Sequence, residues 1–197
     1  MTVTAQPGPD GRLRCSWALG APEYLDYHDT EWGVPVTGVT GLFERLSLEA
    51  FQSGLSWITI LRKREAFRTA FLGFDPERVA AFDEADVARL MADPAIVRNR
   101  SKITATVANA RVVAELGEEF AQIILRYAEP DRPRPTGEGD VRASSPGSVA
   151  MAKELKAAGI RFVGPTTAYA LMQAVGLVDD HVTDCFVPPR SRQSPLG

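Results

Sequence analysis

Cysteine and histidine are scarce in this 197-residue chain, with two of each. Two Cys exclude a disulfide-stapled scaffold, and in a chain without an export signal they read as thiols, a redox pair or metal ligands. Long apolar runs are also missing. None approaches the roughly 20 residues needed to cross a bilayer, and the opening MTVTAQPGPDGR lacks the apolar core of a signal peptide. A soluble, cytoplasmic protein without membrane association is the expectation. Convincing alternating strand patterns are absent as well. What is present is a composition 45% hydrophobic and 24% charged, which excludes a disordered chain. At this length about 70% of the unfolded surface is expected to be buried on folding, in one domain or two small lobes.

The net charge of −3 argues at first against a nucleic-acid partner. The charges are segregated, however. RKREAFR (62 to 68) carries four basic residues against one Glu, RNRSKITATVANAR (98 to 111) carries four and no acid, and the acids gather at 75 to 93 and 115 to 119. Such a distribution builds either a basic face on an acidic protein or two ordinary solvated helix faces.

The periodicity is helical. Residues 40 to 53 place Leu42, Phe43, Leu46 and Ala50 at helical spacing, and Gly54 ends the run. Ser56 is the expected cap of a second helix, Asp75-Pro76 marks a third, Asp83 opens a short one through Leu90, and Ser101 caps a longer one to Gly117. Residues 120 to 127 form another. The stretch from 129 to 147 holds four Pro and three Gly and reads as a loop. Beyond it, Ser148 is expected to cap a helix ending at Gly159, followed by a glycine-bounded turn to Gly164 and a helix over 166 to 175. The first NH groups of that helix, with Thr166 and Thr167, suit an anion such as a DNA phosphate, although a plain helical hairpin has the same pattern.

Two constellations carry chemistry. Cys15 and His28 lie near the start, and His181 and Cys185 near the end. Two thiolates and two imidazoles suit tetrahedral zinc with no open position, hence a structural site tying the ends of the chain together; buried thiols and surface histidines are the alternative. Separately, Glu49 falls on the apolar stripe of its helix beside Leu42 and Leu46, where an ionised carboxylate needs a partner. All three Trp, at 17, 32 and 57, and Tyr24 and Tyr27 lie in the same third of the chain. Aromatic faces around a buried carboxylate suit a flat, electron-poor or cationic heterocycle; core aromatics around a satisfied Glu would look the same.

Six segments then stand out: RCSW (14 to 17), YLDYHDTEWGVP (24 to 35), LEAFQSGLSWITILRKRE (48 to 65), FDPERVA (74 to 80), IVRNRSKITATVANAR (96 to 111) and FVGPTTAYALMQAVGLVDDHVTDC (162 to 185). In order and over nearly the whole chain, they resemble the DNA-3-methyladenine glycosylase I family. The resemblance implies a mainly α, helix-hairpin-helix DNA glycosylase-like fold with two helical lobes flanking a lesion pocket and a structural zinc joining the termini. It implies one domain over residues 14–188, with the hairpin at about 149–176, a flexible extension over 1–13 and a flexible tail over 189–197. Zinc ligands match Cys15, His28, His181 and Cys185. The pocket glutamate matches Glu49 and the pocket aromatics Trp17, Tyr24, Tyr27, Trp32 and Trp57, with Tyr27 and Trp57 as the direct contacts. The Gly-Leu pair pushed into the gap left by an extruded nucleotide matches Gly54-Leu55. Phosphate contacts are expected from Gly164, Thr166 and Thr167, with Arg100 and Lys102 nearby. The implied activity is base-excision repair by a monomeric, monofunctional enzyme on alkylated double-stranded DNA, releasing free 3-methyladenine. A non-catalytic zinc-containing DNA-binding protein on the same fold is the alternative. Of the paired acids Asp179 and Asp180, both beside His181, the simplest reading is that they orient the metal site.

Overall fold

The computed structural model describes residues 5–189, so the tail expectation from 190 onward lies outside the described residues. The chain opens with a short antiparallel hairpin, β1 (Gln6–Pro7) and β2 (Leu13–Arg14), with Gln6 opposite Arg14. This corrects the strand-free reading, since two-residue strands are too short to show alternation. The expected loose extension therefore folds back from its fifth residue. Arg14, 2% exposed, holds it by donating to Asp10 at 2.6 Å and to Asp29 at 2.8 Å.

Helices follow: α1 (Pro22–Thr30), α2 (Val39–Gln52), α3 (Trp57–Ala70), α4 (Pro76–Ala80), α5 (Glu84–Ala92), α6 (Arg100–Leu116), α7 (Glu118–Leu125), α8 (Pro146–Ala157) and α9 (Pro165–Ala174). Two expected caps are where the sequence puts them. Asp75 accepts from the backbone of Glu77 and Arg78, and Asp83 makes a reciprocal box with Asp86. Two others move upstream. Asn99, not Ser101, accepts from the Lys102 amide, and Ser145 caps α8 with Ser148 as its reciprocal partner. Ser56 holds the cap position of α3, but its hydroxyl pairs with Thr59 Oγ1.

Helix α2 is buried around most of its girth, against α3, α6 and α9, as its double apolar stripe requires. Phe51 of α2 packs ring against ring with Phe67, and that series continues through Phe71 to Phe74 and Phe82. Apolar side chains form this large core and a second small cluster where the first and last described segments meet: Cys15, Val182, Cys185 and Val187, with Trp17, Trp32 and Phe186 against them. The backbones approach closely nearby. Gly176 (φ +76°) has the Gly33 carbonyl oxygen 2.5 Å from where a Cβ would sit. Among the described residues no helix is long and apolar enough to cross a membrane.

Candidate active site

A cavity of about 430 Å³ opens where the two apolar clusters face each other. All five predicted aromatics line it, with Cys15, Glu49, Gln52, Val141, Ala170, Gln173, Asp180 and Val182. The rings form a box of edges rather than a stack. Trp17 meets Tyr24 edge-on at 5.7 Å and Trp32 at 5.0 Å, and Tyr27 is tilted 49° to Trp57 at 5.5 Å. Tyr24 has a second task, since its hydroxyl accepts the Ile58 amide proton at 2.9 Å and so caps the open start of α3.

Glu49 projects from the middle of α2 and is 6% exposed. Among the described residues no protein group donates a hydrogen bond to its carboxylate. Burial pushes its carboxyl up to about 8, and the positive charge of Arg45, one turn earlier, only partly opposes this. Arg45 is itself committed to Glu31 at 3.1 Å. Burial, and then the charge of Glu49, also raise the Tyr27 phenol, so that it stays protonated at any physiological pH. The cavity thus holds an unpartnered acid among π faces, a receptor for a flat group that brings its own donors or positive charge.

At its edge α2 stops at the predicted place. Gly54 takes φ +83°, the turn is closed by the Leu55 amide donating to Gln52 O at 2.7 Å, and the Leu55 side chain is 40% exposed. The hairpin lies between α8 and α9, with Gly159 at φ +101°. Asn109, which periodicity alone does not single out, is buried beneath its turn and exchanges two hydrogen bonds with the Arg161 backbone, at 2.8 and 3.1 Å. Among the described residues no side chain caps α9 at Gly164, and Thr166 is exposed beside it.

The expected basic surface is largely engaged within the chain. Arg62 pairs with Glu23, Arg64 with Glu31 and Arg68 with Glu44, while Lys63 donates to the carbonyls of Pro94 and Ala95. Arg100 is exposed and pairs with Glu84. Lys102, expected at the DNA, is instead 8% exposed and donates to the carbonyls of Phe51, at 2.8 Å, and Ser53, at 2.5 Å. It satisfies the last carbonyls of α2, the electronegative end of the helix that carries Glu49.

Three of the four scarce residues converge beside the aromatic box, and one of them, Cys15, also lines the cavity. Cys15, His28 and Cys185 bring ligand atoms within 4.8 Å of one another, all buried. The two Cys do not form a disulfide, and hydrogen bonds from Cys15 and His28 shift the Cys185 thiol toward thiolate. His181 lies outside that tight group, but its ring centre is 5.0 Å from that of His28, and its buried Nε2 has no hydrogen-bond partner among the described residues. Each imidazole has its Nδ1 against a carboxylate at 2.9 Å, His28 on Asp29 and His181 on Asp179. A carboxylate only accepts, so each Nδ1 carries a proton and Nε2 is the ring atom left for a metal; His28 Nε2 lies 3.5 Å from Cys185 Sγ. Cys15, His28 and Cys185 together offer donors that can hold a metal ion. The paired acids divide: Asp179 holds His181, whereas Asp180 faces the cavity, accepting from Tyr169 and Gln173 at 2.7 and 2.8 Å.

A family model described as methyladenine glycosylase matches residues 17–188. The DNA-3-methyladenine glycosylase 1 of Escherichia coli K12 is 44% identical over 184 residues, covering 91% of this chain and 98% of that protein. A crystal structure of a 3-methyladenine DNA glycosylase I superposes with TM-score 0.84 at 46% identity, covering 89% of this chain and all of that one. The 3-methyladenine DNA glycosylase I of Staphylococcus aureus, solved for its recognition of 3-methyladenine, gives 0.83 at 35% identity, covering 90% and 97%. With its mainly helical fold and its acid-and-aromatic cavity, the chain belongs to the methyladenine glycosylase family.

Proposed function

We propose that this chain removes N3-methyladenine from alkylated DNA by hydrolysing the bond between the base and deoxyribose, leaving an abasic site and the free base. The observation that carries the reading is Glu49: a buried acid with no protein donor, at the wall of a cavity faced by Tyr27 and Trp57. Alkylation at N3 makes the base in DNA cationic and a good leaving group. A cation entering the box draws the proton off Glu49 and gains an ion pair in a low-dielectric site. Ordinary adenine is neutral and meets a protonated acid that gives it no such return.

When the C1′–N bond breaks, its electron pair goes to the base and cancels the positive charge, so no acid need protonate the leaving group. Water adds to C1′ and loses a proton to solvent. The chain's contribution is extrusion, placement and charge selection. Tyr27 and Trp57 stack on the base, and Trp17, Tyr24 and Trp32 shape the box. Leu55, held out on the Gly54 turn, fills the gap in the duplex and offsets lost stacking. Amides of Thr166 and Thr167 at the start of α9, the Gly164 turn and Arg100 hold the flanking phosphates; Lys102 does not. Zinc held by Cys15, His28, His181 and Cys185 would supply a structural cross-link, with no open position for chemistry. The chain acts as a soluble monomer in the cytoplasm, on the nucleoid DNA.

The test is release of base from methylated duplex DNA with chromatographic identification of the product. Release of 3-methyladenine by the wild type and its loss in Glu49→Gln support the reading. DNA binding without any base release would favour a non-catalytic DNA-binding protein on this fold and overturn it.

A further inference from the structure

The residues around the cysteines and histidines form two matching relays. In one, His28 Nδ1 donates to Asp29 Oδ1 at 2.9 Å, and Asp29 is gripped by Arg14 through Nε at 2.9 Å and Nη2 at 2.8 Å. In the other, His181 Nδ1 donates to Asp179 Oδ1 at 2.9 Å, and Asp179 Oδ2 accepts from Arg134 Nε at 2.8 Å. Both guanidiniums are largely buried, and each is also tied to a second group: Arg14 to Asp10, and Arg134 to the Val187 carbonyl at 2.8 Å. Arg14 comes from the opening hairpin. Arg134 comes from the proline-rich stretch, which the sequence shows only as a loop.

That stretch lies along the segment carrying His181 and Cys185 as a strap. Arg132 pairs with Asp180 and Arg134 with Asp179, so two arginines two residues apart meet two adjacent aspartates. The Pro135 carbonyl accepts from the Thr183 amide at 2.9 Å, between the two ligands. Val141, farther along the strap, lines the lesion cavity.

We infer that Arg14 and Arg134 are positioning residues of the metal centre, and that the Arg134–Asp179–His181 relay couples metal occupancy to docking of the strap that walls the cavity. The inference rests on the zinc reading given above. With a metal on His181 Nε2, the ring is fixed and Asp179 is held in register for Arg134. Without it, the segment 179–187 loses its anchor and the strap loses the surface it docks on. The metal thereby sustains the cavity wall while taking no part in bond breaking.

Zinc content of the purified wild type is measured first by mass spectrometry. Zinc affinity is then compared by chelator competition for the wild type, Arg14→Gln, Arg134→Gln and Arg126→Gln, the last a more exposed arginine paired with Glu154 away from the site. Both relay variants are expected to bind zinc roughly 10–100-fold more weakly, and the control unchanged. Docking is read by trypsin at Arg142, because the bonds after Arg132 and Arg134 precede proline and resist cleavage. Cleavage at Arg142 is expected to rise several-fold in zinc-loaded Arg134→Gln and in chelator-treated wild type, but not in zinc-loaded Arg14→Gln. A wild type without stoichiometric zinc overturns the zinc reading and this inference together. Zinc at full occupancy with unchanged affinity in both relay variants overturns the relays alone. Cleavage at Arg142 indifferent to metal removal overturns the coupling, and this arm needs no variant to fold.

Discussion

Replacing Glu49 with Gln should stabilise the protein while abolishing its activity. The folded chain holds the Glu49 proton more tightly than the unfolded chain does, so folding takes up a proton between the ordinary carboxyl value of 4.5 and about 8. Stability therefore falls as pH rises through that window, and the loss is complete above it. At 1.36 kcal/mol per pH unit the burden reaches about 5 kcal/mol above pH 8, an upper limit because the carboxyl faces a cavity wide enough for water. Gln has nearly the same shape and no charge to desolvate. Urea unfolding of the wild type and Glu49→Gln at half-unit steps from pH 4 to 9 should give curves that lie closest near pH 4, below the ordinary carboxyl value. They should then diverge in favour of the variant, by at least about 2 kcal/mol at pH 8.5. Parallel curves across the range would refute the argument, because they would mean that the empty cavity solvates the ionised carboxylate as well as bulk water does. The same carboxylate that weakens the empty fold is then what a cationic base satisfies, so affinity and instability have one origin.

Lys102→Met should lower the melting temperature by about 3–10 °C by leaving the Phe51 and Ser53 carbonyls without a donor. The salt dependence of its binding to abasic DNA should match the wild type, whereas Arg100→Gln should flatten that slope by about one ion. Gly176→Ala should cost more than about 2 kcal/mol in urea unfolding, because its Cβ would overlap the Gly33 carbonyl at a left-handed φ. Gly117→Ala, at φ +54° with open space around it, should cost about 1 kcal/mol.

The helices and the acid-and-aromatic box were legible because each leaves a local signal. A 100° periodicity places Leu42, Leu46 and Glu49 on one buried stripe, and Asp before a helix start is a cap by its own chemistry. Where two residues can both cap, local reading picks the wrong one: Ser148 is the reciprocal partner and Ser145 the cap. Partners distant in sequence are invisible. Charge clustering at 62 to 68 suggests a basic face, and only the fold shows Glu23, Glu31 and Glu44 across from it. The ligand types and spacing of Cys15, His28, His181 and Cys185 suggest a metal, but Arg14 and Arg134 are ordinary surface-type residues until Asp29 and Asp179 meet them. The proline-rich strap is the extreme case, since its composition rules out regular structure without saying what it touches.

The meeting of the two ends also sets an order of events. Leu13 is hydrogen-bonded to Phe186 through its carbonyl, and the cavity takes Trp17 and Glu49 from the beginning of the chain but Asp180 and Val182 from close to the end. A ribosome delivers these walls many seconds apart, and until the later segment is released the box around Glu49 lacks a side. A chain interrupted before Asp180 would carry the acid and the aromatics without an enclosed place for a base. The cavity around Glu49 is therefore enclosed only after the segment carrying Asp180 and Val182 has been made and has packed against the earlier walls.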